Sequence, residues 1–351
     1  MFANVVIVFI FLLNLTEIQA QNLVLNPSFE NGATCDGTTE RIDSVDNWSR
    51  VAGKPAYINT NCALSKESKS FVQGMRLPPA AHQNVLAILK MDREGEFIQG
   101  RLQEKLIKDE QYIITMFARR PIQFCTTAIK EIGVILGAKE LPVSEKRRFI
   151  DLAALKLMNN DRSTIDVQYE WQQISALYRA EGGEKFICIG NFGNLNQSIL
   201  ENKGKEACSY IFIDYVSIKV FEEINLISFN PNSSLRKGER MVLSEVKFEA
   251  GKAILKSEST EALNSLAQFL IENPDLKVEI SSHCDNNLDA NKGLTFTKAR
   301  ADKLKEYLIA KSVNPKQLDA KGKGSMQAVA LNNNVKGRAK NNRIEIKIIN
   351  L

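Results

Sequence analysis

Histidine is scarce in this chain: its 351 residues contain two, His82 and His283. No pair of cysteines has the C-x-x-C spacing of a zinc site, so no metal and no other cofactor is expected. After residue 20 no apolar run approaches the roughly 20 residues that a membrane-crossing helix needs. Charge of one sign is also missing. The formal net charge is +5, and the basic residues are interspersed with acids, which excludes the clustered footprint of a nucleic-acid binder but leaves an anionic polymer open. What is present, 44% apolar and 25% charged residues, is the composition of an ordinary globular protein long enough for two cores.

The first 20 residues lack lysine and arginine, yet the apolar run 5–13 and the small residue Ala20 suit a secretory signal cleaved after Ala20; the alternative is a retained anchor. No cysteine follows that run, so a lipid-anchored N-terminus is not expected. Export permits disulfides. Of the six cysteines, Cys35 with Cys62 and Cys188 with Cys208 are near in sequence, although spacing does not fix connectivity.

Residues 22–220 carry short β-branched and aromatic runs, such as YIITMFA (112–118) and YIFIDYVSIKV (210–220), separated by Gly, Asn and Pro. That pattern predicts an all-β sandwich. Residues 150–159 read as a helix or a decorated loop. The opening NLVLNPSFE, then Trp48, and the closing IDYVSI resemble the first and last strands of jelly-roll modules of the carbohydrate-binding or galactose-binding type. Trp48 and Trp171 are then either core anchors or sugar platforms.

Residues 221–240 lose alternation and gather Asn, Pro, Ser and charge, as a linker does. Residues 241–351 follow a different pattern. Val242 to Phe248 reads as a strand and Ser257 as the N-cap of a helix with Leu263, Leu266, Phe269 and Leu270 on its buried stripe. A strand at 276–281, a helix marked by Ala301, Leu304 and Leu308, and the alternating RIEIKI (343–348) complete an α+β domain in the order βαβαβ.

The adjacent His283, Cys284 and Asp285 look like a hydrolase triad, but neighbours on an extended strand point to alternate faces, and His82 lies in the other domain. No enzyme is expected. Asp285 leaves the end of a strand, and Arg300 comes fifteen positions later on the next helix, so both can reach one rim of the sheet. A carboxylate beside a guanidinium suits a zwitterion. The plain alternative is a surface ion pair worth about 0–1 kcal/mol.

The text FEAGKA (248–253), SHCDN (282–286), the helix segment ending in Arg300-Ala301 and GRAKNNR (337–343) resemble the OmpA-like peptidoglycan-binding domain, also found in peptidoglycan-associated lipoproteins and flagellar motor stators. The resemblance implies a non-catalytic partner of diaminopimelate-containing peptidoglycan, in which Asp285 takes the ammonium of the stem residue and Arg300 its carboxylate. It also nominates Asn286, Arg338, Asn341 and Arg343 on the same rim, with bracing of the loop as the other role for Arg338 and Arg343. Departures are Ser282 for Gly, Cys284 for Thr, Gly293 for an Asn, Lys323 for an aromatic and Asn342 for the first Arg of the final pair. A jelly-roll module before such a domain resembles envelope proteins of the Bacteroidetes. The implied place is the periplasmic side of the outer membrane, with a glycan or an outer-membrane protein as a further partner of the β domain and no nucleic acid. A sugar-binding or adhesin module tethered by the C-terminal domain is the alternative.

Overall fold

The β-branched runs of the first two thirds pair as antiparallel strands. The computed structural model describes residues 21–33, 41–60, 62, 85–91, 95–120, 127–129, 131–144, 155–158, 165, 171–192, 199–202, 209–221, 227–228, 230, 236–332 and 334–350. The expected signal segment, Cys35 and His82 lie outside these residues. Before residue 221 the strands are β1 (Trp48–Ala52), β2 (Ala56–Asn59), β3 (Val85–Lys90), β4 (Phe97–Arg101), β5 (Gln111–Arg119), β6 (Thr127–Ile129), β7 (Glu131–Gly137), β8 (Leu155–Met158), β9 (Gln172–Arg179), β10 (Phe186–Gly190), β11 (Ile199–Asn202) and β12 (Tyr210–Val220). Part of the 150–159 segment is therefore strand β8, not helix.

Ten of these strands form one sheet in the order β1-β4-β10-β7-β8-β9-β5-β12-β3-β2, and β11 pairs with β6 separately. Strands β8 and β9 meet through one pairing, Met158 with Ser175, so the sheet divides into two five-strand halves. Both halves feed one core: Trp48, Ile98, Ile132 and Ile187 from the first, Ile114, Met116, Ile174 and Ile213 from the second. Each such side chain contributes about 1.5–3 kcal/mol when fully buried. The opening and closing segments adjoin, because Leu23 N–H donates to Ile218 O and Val216 N–H to Pro27 O, both at 2.9 Å.

Both tryptophans are buried. Trp48 lies 4.6 Å from Phe29 and donates its indole N–H to Asn26 O at 2.9 Å. Its ring covers Gly100, where an added Cβ would come within 2.8 Å. Trp171 is 1% exposed. Neither presents a face to solvent, so the sugar-platform alternative for them fails. Cys62 is disulfide-bonded, whereas Cys188 is a free thiol packed among Val51, Phe97 and Phe192 and pushed up to about 12 by burial. The Cys188–Cys208 pair is thereby corrected.

The second body has a five-stranded sheet in the order β13-β14-β17-β15-β16, from β13 (Ile227–Ser228), β14 (Arg240–Val242), β15 (Lys277–His283), β16 (Leu318–Gly324) and β17 (Ile344–Asn350). Helices α1 (Thr260–Glu272) and α2 (Ala290–Ala310) cover one face, while the short α3 (Val335–Asn341) precedes β17. Leu263, Leu266 and Leu270 of α1 and Ala301, Leu304 and Leu308 of α2 pack on Val278, Ile280, Ile344, Ile346 and Ile348.

Local details depart from the expected pattern. The strand expected over 242–248 ends at Val242, where the chain turns through Val246 N–H to Leu243 O. Ser257 does not cap α1. It opens a short 3-10 turn, and Ser259 precedes the helix, its hydroxyl accepting from Lys247 N–H and donating to Lys247 O. Strand β16 adds to the expected order; its sequence LDAKGKG has few apolar positions, and Gly322 is required because a Cβ there would enter the backbone of Lys298 and Leu294 on α2. The expected linker supplies β13, paired in parallel with β14.

Trp48→Ala is expected to destabilise the β domain by about 3–5 kcal/mol, as other large aromatic truncations in cores do. Urea unfolding followed through Trp171 fluorescence checks this; a loss below about 1 kcal/mol would show that the ring is not a core anchor.

Candidate functional site

The polar chain exit after β15 gathers the groups singled out by sequence. His283 and Cys284 go to opposite sides of the sheet. The His283 ring, 1% exposed, lies on the face away from the helices with Nε2 3.5 Å from Glu345 Oε2. Burial holds its pKa at about 4, so the ring is neutral in neutral solution. Burial would raise the Glu345 carboxyl, but His283 and Arg343 override it and hold it down at about 2. Arg343 grips Glu345 at 2.7 Å and donates to Gln327 O and Asn341 O. Cys284 faces α2. Burial, reinforced by Asp285 and opposed by Arg300, pushes its thiol up to about 12. The three neighbours do not converge, and Cys284 is neither ionised nor beside a base.

Both charges of the expected pair act on that thiol, so Asp285 and Arg300 each lie in the neighbourhood of Cys284. They do not ion-pair with one another, so the plain salt-bridge alternative fails. Asp285 is 8% exposed, and its oxygens accept from Asn287 N–H at 2.9 Å, Asn287 Nδ2 at 3.0 Å and Asn342 Nδ2 at 2.8 Å. Asn342 also accepts Asp285 N–H at 3.1 Å, a reciprocal clasp. A carboxylate has about four acceptor sites, so one donor more can be taken.

Arg300 is half-buried between two aromatic rings, 4.1 Å from the Phe296 centroid and 4.8 Å from that of Phe248. Its Nε donates to Lys252 O at 3.1 Å and Nη2 to Glu249 O at 3.4 Å. Burial draws its pKa down while Cys284 acts the other way, and a guanidinium remains charged in neutral water. Among the described residues Nη1 has no hydrogen-bond partner. Cation–π contact of this desolvated kind contributes about 2 kcal/mol to holding the group in place.

Helix α2 starts where Asp289 accepts from the N–H groups of Asn291 and Lys292, both at 3.0 Å. The other Asp289 oxygen accepts Trp171 N–H at 3.0 Å, and Asn286 Nδ2 donates to Gln173 O at 2.7 Å. The loop between Asp285 and α2 therefore touches the β domain.

The remaining nominated residues have internal partners. Asn341, wholly buried, accepts from Val329 and Ala330 N–H and donates to Ala330 O and Asn332 Oδ1, tying down the loop before α3. Arg338 donates to Asn332 O. With Arg343 on Glu345, both arginines brace the fold. Asn286 points to the β domain.

Residues 247–343 match the model of the OmpA family. This part of the chain is an OmpA domain. Outer membrane porin F of Pseudomonas fluorescens is 32% identical over 104 residues, covering 30% of this chain and 32% of that protein. The peptidoglycan-binding protein ArfA of Mycobacterium bovis is 34% identical over 88 residues, 25% of this chain and 27% of that protein. Among solved structures, the peptidoglycan-associated lipoprotein of Burkholderia pseudomallei is 23% identical, with a TM-score of 0.29 over 36% of this chain and 99% of that one. The chain spans about a third to about half of the curated relatives it matches.

Gly293 on α2 faces the Cys284 thiol, and a Cβ at 293 would come within 3.1 Å of Sγ. The absence of a side chain at 293 leaves room for the Cys284 sulfur. Sequence reasoning missed Asn287, Asn342, Phe248 and Phe296, which set the two charges. Only the helical spacing of Phe296 and Arg300, four apart, could have signalled a stack.

The buried His283 makes stability depend on pH. Its folded-state value of about 4 lies below the 6.5 of an exposed ring, so between those values the unfolded chain binds the extra proton. Stability of the OmpA domain is expected to fall, on the order of a few kcal/mol, as pH drops from about 6.5 to about 4. Hydrogen exchange of β15 amides in urea measures it, and His283→Gln should flatten the dependence; an equally steep variant would assign it elsewhere.

Proposed function

We propose that the OmpA domain holds peptidoglycan without cleaving it, by clasping the diaminopimelate of the stem peptide between Asp285 and Arg300. The carboxylate, with acceptor capacity left, takes the ammonium; the guanidinium, with Nη1 free among the described residues, takes the carboxylate. The observation that carries this reading is the slot that fixes Arg300 between Phe248 and Phe296. A surface arginine serving only solubility has no need of two rings and two backbone carbonyls. Charge-assisted bonds of this kind contribute about 1.5–3 kcal/mol each when shielded from water, which suits specific and reversible attachment.

ArfA, by its name a peptidoglycan-binding protein, and porin F, an outer-membrane protein, support an envelope setting. The protein is read as an exported envelope anchor on the periplasmic side of the outer membrane. Among the described residues no helix is long and apolar enough to cross a membrane. The neutral, buried His283 and un-ionised Cys284 favour binding over hydrolysis. For the β domain, the shared core of its two five-strand halves and the adjoining first and last segments support a jelly-roll of the galactose-binding type. The buried tryptophans disfavour an aromatic sugar platform as its main role.

The full chain is expected to co-sediment with diaminopimelate-containing sacculi. Asp285→Ala and Arg300→Ala should abolish this while the domain stays folded, and Phe296→Leu should weaken it about tenfold by freeing the guanidinium. Equal sedimentation of the wild type and the two alanine variants, or released muropeptides, would remove the proposal.

A further inference from the structure

Between the two bodies lies a contact that neither needs for its own core. Trp171 stands just before β9 and uses both its backbone groups on the OmpA domain: its N–H donates to Asp289 Oδ2 at 3.0 Å, and its carbonyl accepts Ala290 N–H at 3.2 Å. Two residues on, Gln173 O accepts from Asn286 at 2.7 Å. The Ala290 side chain is buried in an apolar cluster made by Ile58, Ile88, Phe117, Trp171 and Phe212, with Met326 packed against it. These three hydrogen bonds fall on residues 286–290, the connection between Asp285 and the helix that carries Arg300.

We infer that the β domain is a latch on the wall-binding loop, and that its docking and the capture of a stem peptide oppose one another. This rests on the function proposed above. Pinned at Asn286 and at Asp289–Ala290, the loop keeps Asn287 folded back so that its N–H and its amide both occupy Asp285. Asp285 is then almost closed to solvent. A ligand ammonium must reach the remaining acceptor site of Asp285 past the folded-back Asn287 amide, and that approach is easier when the loop is free at both ends. Binding at one site that disfavours docking at another is reciprocal, so ligand must also loosen the latch. A wall anchor built this way changes the placement of its β domain when it engages peptidoglycan.

Asp289→Asn isolates the latch. Asparagine caps a helix as well as aspartate does, so α2 keeps its start. An Asn oriented to cap presents its NH2 where Trp171 N–H needs an acceptor. Ala290→Glu is the second variant, placing a carboxylate in the apolar cluster. In the full chain both variants are expected to bind diaminopimelate-containing sacculi about 5-fold or more tightly, while the Trp171 amide exchanges faster. Soluble muropeptides carrying diaminopimelate should speed the same exchange in the wild type. Faster exchange with affinity equal to or below wild type in both variants would overturn the latch. So would Trp171 exchange that neither the variants nor the muropeptide alter. Failure of the underlying reading has a different signature: the wild type would not bind sacculi more than Arg300→Ala does.

Discussion

One carboxylate, Asp289, joins the parts of the binding edge. With one oxygen it terminates the loop that leaves β15 and opens α2 by accepting the N–H groups of Asn291 and Lys292. The register of α2 then sets where Arg300 falls, almost three turns along, while the same turn sets how far Asp285 stands from the sheet. Displacing the cap would move both charges together. Its second oxygen reaches Trp171 of the β domain, so the geometry of the edge and the contact between domains share a single side chain.

Around that edge the fold is stiffened by polar groups that have given up water. Glu345, held by Arg343 at 2.7 Å, is almost fully buried under the end of β15. Removing either partner would strand a buried charge, which costs several kcal/mol, whereas the intact pair adds little net stability. The role of the pair is to fix where β17 and the loop after β15 lie. Asn341 does the same for the 329–332 loop through four hydrogen bonds. A domain that must recognise a small zwitterion needs such rigidity, since charge-assisted bonds discriminate only when their donors and acceptors are held in register.

Much of this was legible in the residues. Period-two runs such as RIEIKI and the leucine stripes of α1 and α2 gave the layers of the OmpA domain, because burial on one face leaves a periodic trace. Strand β16 left none: LDAKGKG pairs through its backbone and approaches α2 through Gly322. The spacing of Asp285 and Arg300 was visible, but their supports were not. Asn287 and Asn342 lie 55 residues apart in sequence, both after Asp285, and nothing periodic links an amide to the carboxylate it will meet. Asn341 and Arg343 carry the polar character of a rim, yet both are buried and brace loops, while Arg338 stays partly exposed with a bond to Asn332 O. Type and position alone do not tell a ligand-facing guanidinium from one that replaces lost water.

The account stands on the availability of Asp285 and Arg300 to one small ligand. The most direct measurement is an NMR titration of the full chain with free meso-diaminopimelate, observing the Arg300 Nε–H and the Asn287 and Asn342 side-chain amides. Shifts of all three along one saturating curve are the expected result. Shifts confined to residues away from this edge, with the three signals stationary at saturation, would contradict it.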